Sequence, residues 1–377
     1  MAPAPAPSRA GTFLLGVTFA ILIVVPLLYD ALRVASQVSN VFSTSRAVAT
    51  LRRQVSDRSF SERRIRTPYQ VASSRLLSQG TRSVLIAPGG WLFYRQDLEF
   101  CASSGFLRGA APEQHFSTKT IRDVDTQLKA RHVHLVVVPV PIGPAIYPER
   151  MWPAYPVGAG FAGNVDIGRW RQALRDAGVD VVDLDSVLWN ARNATPDPLY
   201  LSDNTHWTAR AGVLAADAVA AHVRPFVSDI PQISFARRAG AAPVGSDLLD
   251  LMGLPQHTSI GQPADPVVRY EEVLRPGAPS VGLDSDPVFL AGDSFSRIYT
   301  SGPGPHAAGL PDGLMFALGV GVQRVVRDGA TPGEMVKELA ARGALLEHKR
   351  VVVWEFAERL LLPRFSDNWQ ATDLNMP

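Results

Sequence analysis

Two short segments of this 377-residue chain together hold a nucleophile, a base and an acid. Gly292-Asp293-Ser294-Phe295-Ser296 follows an apolar run at 287–291 that reads as a buried strand. A serine placed where a strand ends stands where α/β folds present catalytic groups. Upstream, Asp203-Asn204-Thr205-His206-Trp207 sets a histidine between the strand-like Leu199-Tyr200-Leu201 and an Ala-rich helix at 208–223. A serine hydroxyl is a poor nucleophile until a base takes its proton. Histidine suits that work because it titrates near neutral pH. A carboxylate behind the ring fixes its tautomer and stabilises the imidazolium. The expected triad is Ser294 as nucleophile, His206 as general base and Asp203 as the acid that orients the base.

Each residue also has a plainer reading. Gly, Asp and Ser are ordinary turn residues, and a serine before a helix is an ordinary cap. His132, His134, His222 and His348 fit the common case of a histidine that packs locally. Asp293 reads as a structural residue that holds the nucleophile loop. The chain has no His-x-x-x-His and no cysteine pair, so no metal-ligand spacing is present. No Gly-rich phosphate loop follows a first strand, and the Gly-Pro-Gly-Pro at 302–305 puts proline where cradling amides would be needed. Neither a cofactor nor a metal is expected. The single cysteine, Cys101, excludes an intramolecular disulfide and reads as a small buried hydrophobe. A net charge of +2 does not point to nucleic acid.

The elements that must position these groups follow from the apolar pattern. Residues 134–140 (HLVVVPV) form an unbroken β-branched run typical of a buried parallel strand, 287–291 is a second apolar run, and 350–355 (RVVVWE) reads as a last buried strand. Shorter strands are expected at 83–87, 91–94 and 179–184, and helices at 118–131, 164–177, 208–223 and 333–342. Residues 301–313 read as a Gly-rich loop. Strands alternating with helices indicate an α/β fold with a mainly parallel sheet flanked by helices. The Pro- and Gly-rich segment at 225–280 reads as an insertion or lid, and residues 363–377 as a C-terminal tail.

The N-terminus has its own character. Residues 1–10 form a Pro/Ala-rich tail expected to be disordered. Residues 11–29 are 19 residues without a charge, enough to cross a bilayer as an N-terminal transmembrane helix. The apolar core is long for a cleaved signal, so an uncleaved anchor is expected. Residues 30–79 read as a polar stalk or linker, with arginines at 46, 52, 53, 58, 63, 64 and 66. The catalytic domain is then expected over 80–362.

Several segments resemble the SGNH hydrolase-like domain of the AlgJ/AlgX-type polysaccharide O-acetyltransferases. Gly90-Trp91-Leu92-Phe93-Tyr94, with Asp97, is similar to that family's opening block. Val138-Pro139-Val140-Pro141 and Ile146-Tyr147-Pro148 are similar to its strand and loop. Leu201 to Trp207 resembles its histidine block, Gly245-Ser246-Asp247-Leu248 its "GDL" element, Gly292 to Ser296 its nucleophile block, and Trp354-Glu355-Phe356-Ala357-Glu358-Arg359 its closing block. The shared order runs from about residue 88 to 359.

The resemblance implies an O-acetyltransferase on an exported polysaccharide such as alginate, working in the periplasm beside a membrane-bound O-acyltransferase that supplies acetyl groups. Ser294 would carry the acetyl group, and His206 would deprotonate first Ser294 and then the sugar. The expected location is the inner membrane, held by residues 11–29, with the catalytic domain outside the cytoplasm. The rivals are a carbohydrate acetylesterase with the same triad and a degenerate scaffold subunit. Two departures stand out. Where the family has aspartate two residues before the histidine, this chain has Asn204; Asp203 matches the spacing of ordinary SGNH esterases and is taken as the acid, with Asn204 as the alternative. Gly143-Pro144 replaces a residue that is more often polar. Amides around Phe295 are the natural oxyanion donors, and Trp91, Trp207 and Trp354 are candidates either to stack on sugar rings or to fill the core.

Overall fold

The structure, a computed structural model, describes Val24 and residues 67–374 apart from 157, 257, 261–266, 276–281, 301–305, 343–345, 347 and 371–372. The expected tail, the membrane helix apart from Val24 and most of the stalk lie outside the described residues. Among the described residues, no helix is long and apolar enough to cross a membrane. The chain divides into two units: Met1–Gln79 with Gly253–Pro255, and Gly80–Met252 with Gln256–Pro377. The first contains helix α1 (Thr67–Leu77). All that follows concerns the second.

That unit opens with β1 (Val84–Ile86) and β2 (Leu92–Tyr94), an antiparallel pair. The turn between them needs positive φ at Gly89 (79°) and Gly90 (80°), which glycine adopts without a Cβ clash. Next come α2 (Arg95–Ala102), α3 (Phe116–Lys129), β3 (His134–Val140), α4 (Ile167–Asp176), β4 (Asp180–Val181), α5 (Leu184–Ala191) and α6 (Ala209–Val223). β5 (Ala236–Pro243), α7 (Asp247–Met252) and β6 (Val267–Leu274) follow, with β5 and β6 paired antiparallel. The chain then runs through β7 (Val288–Gly292), the single turn α8 (Ser294–Arg297), α9 (Leu310–Leu318), β8 (Val322–Val326), α10 (Pro332–Ala340) and β9 (Val351–Ala357).

β3, β4, β7, β8 and β9 form one five-stranded sheet in the order β4-β3-β9-β7-β8, and every neighbouring pair is parallel. Successive residues of a strand point to opposite faces. Val136, Val138, Val288, Leu290, Val351 and Val353 therefore pack on one side with α6 and α9, through Ala215, Val219, Leu314 and Leu318. Leu135, Val137, Phe289, Ala291, Val352 and Trp354 pack on the other with α3, α4 and α10, through Ile121, Leu128, Leu174 and Val336. Apolar residues at nearly every position of the three middle strands, Glu355 in β9 being the buried exception, are what this two-sided burial requires.

The structure differs from the sequence reading at four places. The strand expected at 179–184 stops at Val181, because Asp183 caps α5 by accepting from the Ser186 amide at 3.3 Å. Residues 310–313, expected as the end of a Gly-rich loop, open the helix α9: a Cβ on Gly313 would lie 2.9 Å from Ala216 Cβ, so that glycine lets α9 pack closely on α6. β8 was not expected; its Gln323 and Arg324 reflect an edge strand with one neighbour, which can carry polar side chains. The tail expected at 363–377 packs on the core at Trp369 and Leu374. Trp369 and Leu374 are buried, and the Thr120 hydroxyl donates to the Trp369 carbonyl at 2.7 Å.

Candidate active site

β7 lies near the middle of the sheet and ends at Gly292, and Ser294 is the first residue of the turn that follows. Asp293 holds this turn with both carboxylate oxygens: Oδ1 accepts from the Phe295 amide at 2.8 Å and Oδ2 from the Ala357 amide at 3.0 Å. Behind it, Glu355 Oε2 accepts from the Asp293 amide at 3.1 Å and the Ser296 hydroxyl at 2.5 Å. Glu355 is fully buried, and burial together with the nearby Asp293 charge pushes its carboxyl well above the usual range. The nucleophile turn is thus clamped to the end of β9. Asp293 has the structural role expected of it. Because the Phe295 N–H is turned onto Asp293, it is not available as the expected oxyanion donor.

The segment carrying His206 runs beside this turn. Leu201 N donates to the His206 carbonyl at 3.1 Å and Thr208 N to the Leu199 carbonyl at 2.8 Å, closing a narrow loop before α6. Trp207 is fully buried; its Nε1 donates to the Phe295 carbonyl at 3.1 Å, and its own carbonyl accepts from the Tyr299 hydroxyl at 2.9 Å. The loop bearing His206 is therefore bonded directly to the loop bearing Ser294. The rings of His206 and Phe295 lie 5.0 Å apart. Trp91, Trp207 and Trp354 are all buried in the core, which decides them as packing residues rather than sugar platforms.

The groups around the His206 ring differ from the expectation. Its Nδ1 lies 2.7 Å from Asn204 Oδ1, 3.2 Å from Thr205 Oγ1 and 3.4 Å from Asp247 Oδ2. Asn204 Oδ1 also accepts from the His206 amide at 3.0 Å, while its Nδ2 donates to the Gly245 carbonyl at 2.7 Å. The donor side of the amide is used on Gly245, so its oxygen faces the ring. Nδ1 is then the protonated nitrogen and Nε2 the basic one. Among the described residues, no group is hydrogen-bonded to Nε2.

Asp203, taken from sequence as the orienting acid, gives way at this position. Its carbonyl accepts from the Ser246 hydroxyl, and its carboxylate, after burial, helps push the Tyr299 phenol upward. The reason is local: a side chain two residues before the histidine can bridge the His206 amide and ring at once, as Asn204 does in an Asx-type turn.

Asp247 carried no role in the sequence reading. It opens α7, where Ser246 Oγ accepts from the Leu249 amide at 3.0 Å as a helix cap. Asp247 Oδ1 accepts from the Thr205 amide at 2.9 Å, and Oδ2 accepts from the Thr205 hydroxyl. Burial works to raise the Asp247 carboxyl, but His206 and Thr205 outweigh it and hold it below its ordinary value. No periodicity links positions 206 and 247, so only their place in the "GDL" resemblance could have drawn attention to Asp247.

Ser294, His206, Asn204, Asp247, Arg297 and Arg359 line one cleft of about 1130 Å³. Arg359 is held by Asp97, with Nη1 3.1 Å from Oδ1, and its guanidinium lies 5.7 Å from the Phe295 ring centroid. Tyr94 also lines the cleft, with Arg359 5.8 Å from its ring. Arg297, paired with Asp328, and Arg359, paired with Asp97, line the cleft that Ser294 also lines, and cations there suit a reaction that develops negative charge on oxygen. Cys101 takes no part: burial pushes its thiol well up, which keeps it a poor nucleophile.

The fold that carries this cleft is shared with known proteins. The family described as the SGNH hydrolase-like domain of acetyltransferase AlgX matches residues 84–358, a span that holds every cleft residue named above except Arg359. The chain is similar to a probable alginate O-acetylase AlgJ of Pseudomonas aeruginosa, 26% identical over 332 residues, which are 84% of this chain and 81% of that protein. A second probable alginate O-acetylase AlgJ, from Azotobacter vinelandii, is 25% identical over 311 residues, 78% of this chain and 75% of that protein. The O-acetyltransferase domain of Pseudomonas putida AlgJ superposes with a TM-score of 0.56 at 25% identity, covering 76% of this chain and 98% of that one. Pseudomonas aeruginosa AlgX shares the fold, with a TM-score of 0.54 at 21% identity, over 73% of this chain and 61% of that one.

Proposed function

The chain belongs to the family of SGNH hydrolase-like domains of the AlgX acetyltransferase type, and on that premise we propose that it passes an acetyl group through Ser294 to hydroxyls of a polysaccharide. The observation that carries this reading is the disposition of His206. Its Nδ1 is engaged by Asn204 and Asp247, its basic Nε2 is left unengaged, and Ser294 lines the same cleft. His206 Nε2 takes the Ser294 proton as Oγ attacks the acetyl carbonyl of the donor. The proton returns to the donor's leaving group as that bond breaks, and acetyl-Ser294 remains. A sugar hydroxyl then attacks the ester, Nε2 takes its proton, and the acetylated sugar leaves as Ser294 is reprotonated. Arg297 and Arg359 are placed to offset charge on the tetrahedral oxygen or on an acidic sugar. The acceptor class is supported by relatives named alginate O-acetylases.

In this reading residues 11–29 anchor the protein in the inner membrane, supported by their 19 uncharged residues. The catalytic unit faces the periplasm, and a membrane-bound O-acyltransferase supplies the acetyl group; the family resemblance supports both.

The test uses the purified protein, a chromogenic acetyl ester and an acidic oligosaccharide. Ester cleavage is expected in the wild type and is expected to fall by at least about 10³-fold in Ser294→Ala and His206→Ala. Acetyl is expected on the oligosaccharide. Retained cleavage in either variant would sink the serine mechanism, and acetate as the sole product would make the protein an esterase.

A further inference from the structure

We infer that Asp247, reaching in from the start of α7, supplies the negative charge that stabilises the His206 imidazolium, while Asn204 fixes only the ring's tautomer. This rests on the reading of Ser294 and His206 given above, and deepens it. In the family pattern one residue, the aspartate two places before the histidine, does both jobs. Here they are divided. Asn204 Oδ1 can accept the Nδ1 proton at 2.7 Å but carries no charge. When the Ser294 proton passes to Nε2, a neutral imidazole becomes a cation, and an amide oxygen offsets that far less than a carboxylate does. Asp247 Oδ2 lies 3.4 Å from the same Nδ1, close enough to form an ion pair once the ring is protonated.

The loop is built to hold Asp247 there. Four hydrogen bonds join segments 203–205 and 245–247: Ser246 Oγ to the Asp203 carbonyl, Asn204 Nδ2 to the Gly245 carbonyl, and the Thr205 amide and hydroxyl to the two Asp247 oxygens. Gln256 fixes the same loop from behind, with Oε1 on the Ser246 amide at 2.7 Å and Nε2 on its carbonyl at 2.9 Å. Thr205 Oγ1 donates to Asp247 and so turns its lone pairs toward Nδ1, 3.2 Å away. The charge on Asp247 thus reaches the ring both directly and through a polarised hydroxyl.

The other charged and titratable groups facing Asp247 are Tyr94 at the end of β2, Asp97 on α2 and Arg359 after β9, with Asp250 on its own helix also at the cleft. Asp97 is taken up by Arg359. That pairing leaves Asp247 as the carboxylate in contact with the ring.

Asp247 acts through His206 and so is a positioning residue, tested by a pH profile and a charge exchange. The rate of acetyl-ester cleavage is measured against pH for the wild type, Asp247→Asn, Asn204→Asp and the double variant. Asp247→Asn is expected to lose roughly 10²-fold. Its acidic limb is expected to move down by about one pH unit, because a ring without its counter-charge binds a proton less well. The double variant, which returns the carboxylate to position 204, is expected to recover most of the loss. Asn204→Asp alone removes the Nδ2 bond to the Gly245 carbonyl but keeps the Ser246 and Thr205 bonds that place Asp247, and it is expected to gain less than about threefold, since the charge is already present.

An unmoved limb in Asp247→Asn, or a double variant no better than the single one, overturns the assignment. So does a gain of about 10²-fold or more in Asn204→Asp, which stands even if Asp247→Asn does not fold. Ser294→Ala separates this from the underlying reading. If it remains active, the serine mechanism itself has failed. If it is inactive while Asp247→Asn keeps both rate and limb, only Asp247 has been misassigned.

Discussion

Arg359 Nη1 lies 3.1 Å from Asp97 Oδ1, joining residues 262 apart in the chain at the edge of the catalytic cleft. Asp97 is 3% exposed and the Arg359 side chain 14%. Burial pushes the Asp97 carboxyl up and Arg359 opposes it, with the net direction upward. Removing one partner leaves the other buried without its counter-charge, which costs about 3–5 kcal/mol. Asp97→Ala and Arg359→Ala are both expected to destabilise by that order in urea unfolding. Arg359→Ala is also expected to lower kcat, since its guanidinium lines the cleft. A variant as stable as the wild type would show that the pair contributes little.

Gly292 is required by what surrounds it. A Cβ there would lie 2.5 Å from both Glu355 Oε2 and Ser296 Oγ, which are themselves hydrogen-bonded to one another. Gly292→Ala must push this pair apart and shift the turn that carries Ser294. Overpacking of this kind costs about 1–3 kcal/mol, and kcat is expected to fall more steeply than KM rises. The comparison to make is Gly292→Ala against Ala291→Gly, which loosens the strand without entering the clamp. Equal kinetics in the two would argue against the clamp.

A second buried carboxyl pair predicts a pH effect on stability. Burial pushes Asp185 up to about 6, with Arg171 and the bond to Glu358 pulling the other way. Burial and Asp185 together push Glu358 well above its ordinary value. A carboxyl raised in the folded state binds its proton more tightly there than in the unfolded chain. Its contribution to stability is therefore fully present below about pH 4 and lost as pH rises through about 6. A two-unit shift corresponds to roughly 3 kcal/mol. Glu358→Gln removes one partner's titration, so the urea midpoint of the variant is expected to gain on that of the wild type between pH 4 and 7. Parallel midpoints across that range would refute the raised carboxyl pair.

The middle of the sheet was legible because its chemistry is uniform. A strand covered on both faces needs apolar residues at almost every position, so β3, β7 and the Val351–Trp354 part of β9 stand out as apolar runs. β8 did not, because an edge strand tolerates Gln323 and Arg324. Helix α9 did not, because Gly309 and Gly313 look like loop residues until Ala216 is seen against Gly313. Trp207 was legible as important but not in kind. Its indole belongs to the bond with the Phe295 carbonyl, and nothing in its own neighbourhood announces a partner 88 residues away.

The sequence by itself determined the parallel sheet, the family, and the two short segments that carry Ser294 and His206. Strand ends, apolar runs and motif order are local properties, and a linear pattern records them. Which acid stands behind the histidine was decided only by the tertiary structure. Asp203 and Asn204 are neighbours of His206 in the chain, and the local spacing favoured Asp203. The fold instead turned Asn204 onto Nδ1 and carried Asp247 to 3.4 Å from the same atom. A polar contact between distant loops leaves no periodicity, because each loop needs only one residue of the right chemistry, and the packing of the rest decides where that residue points.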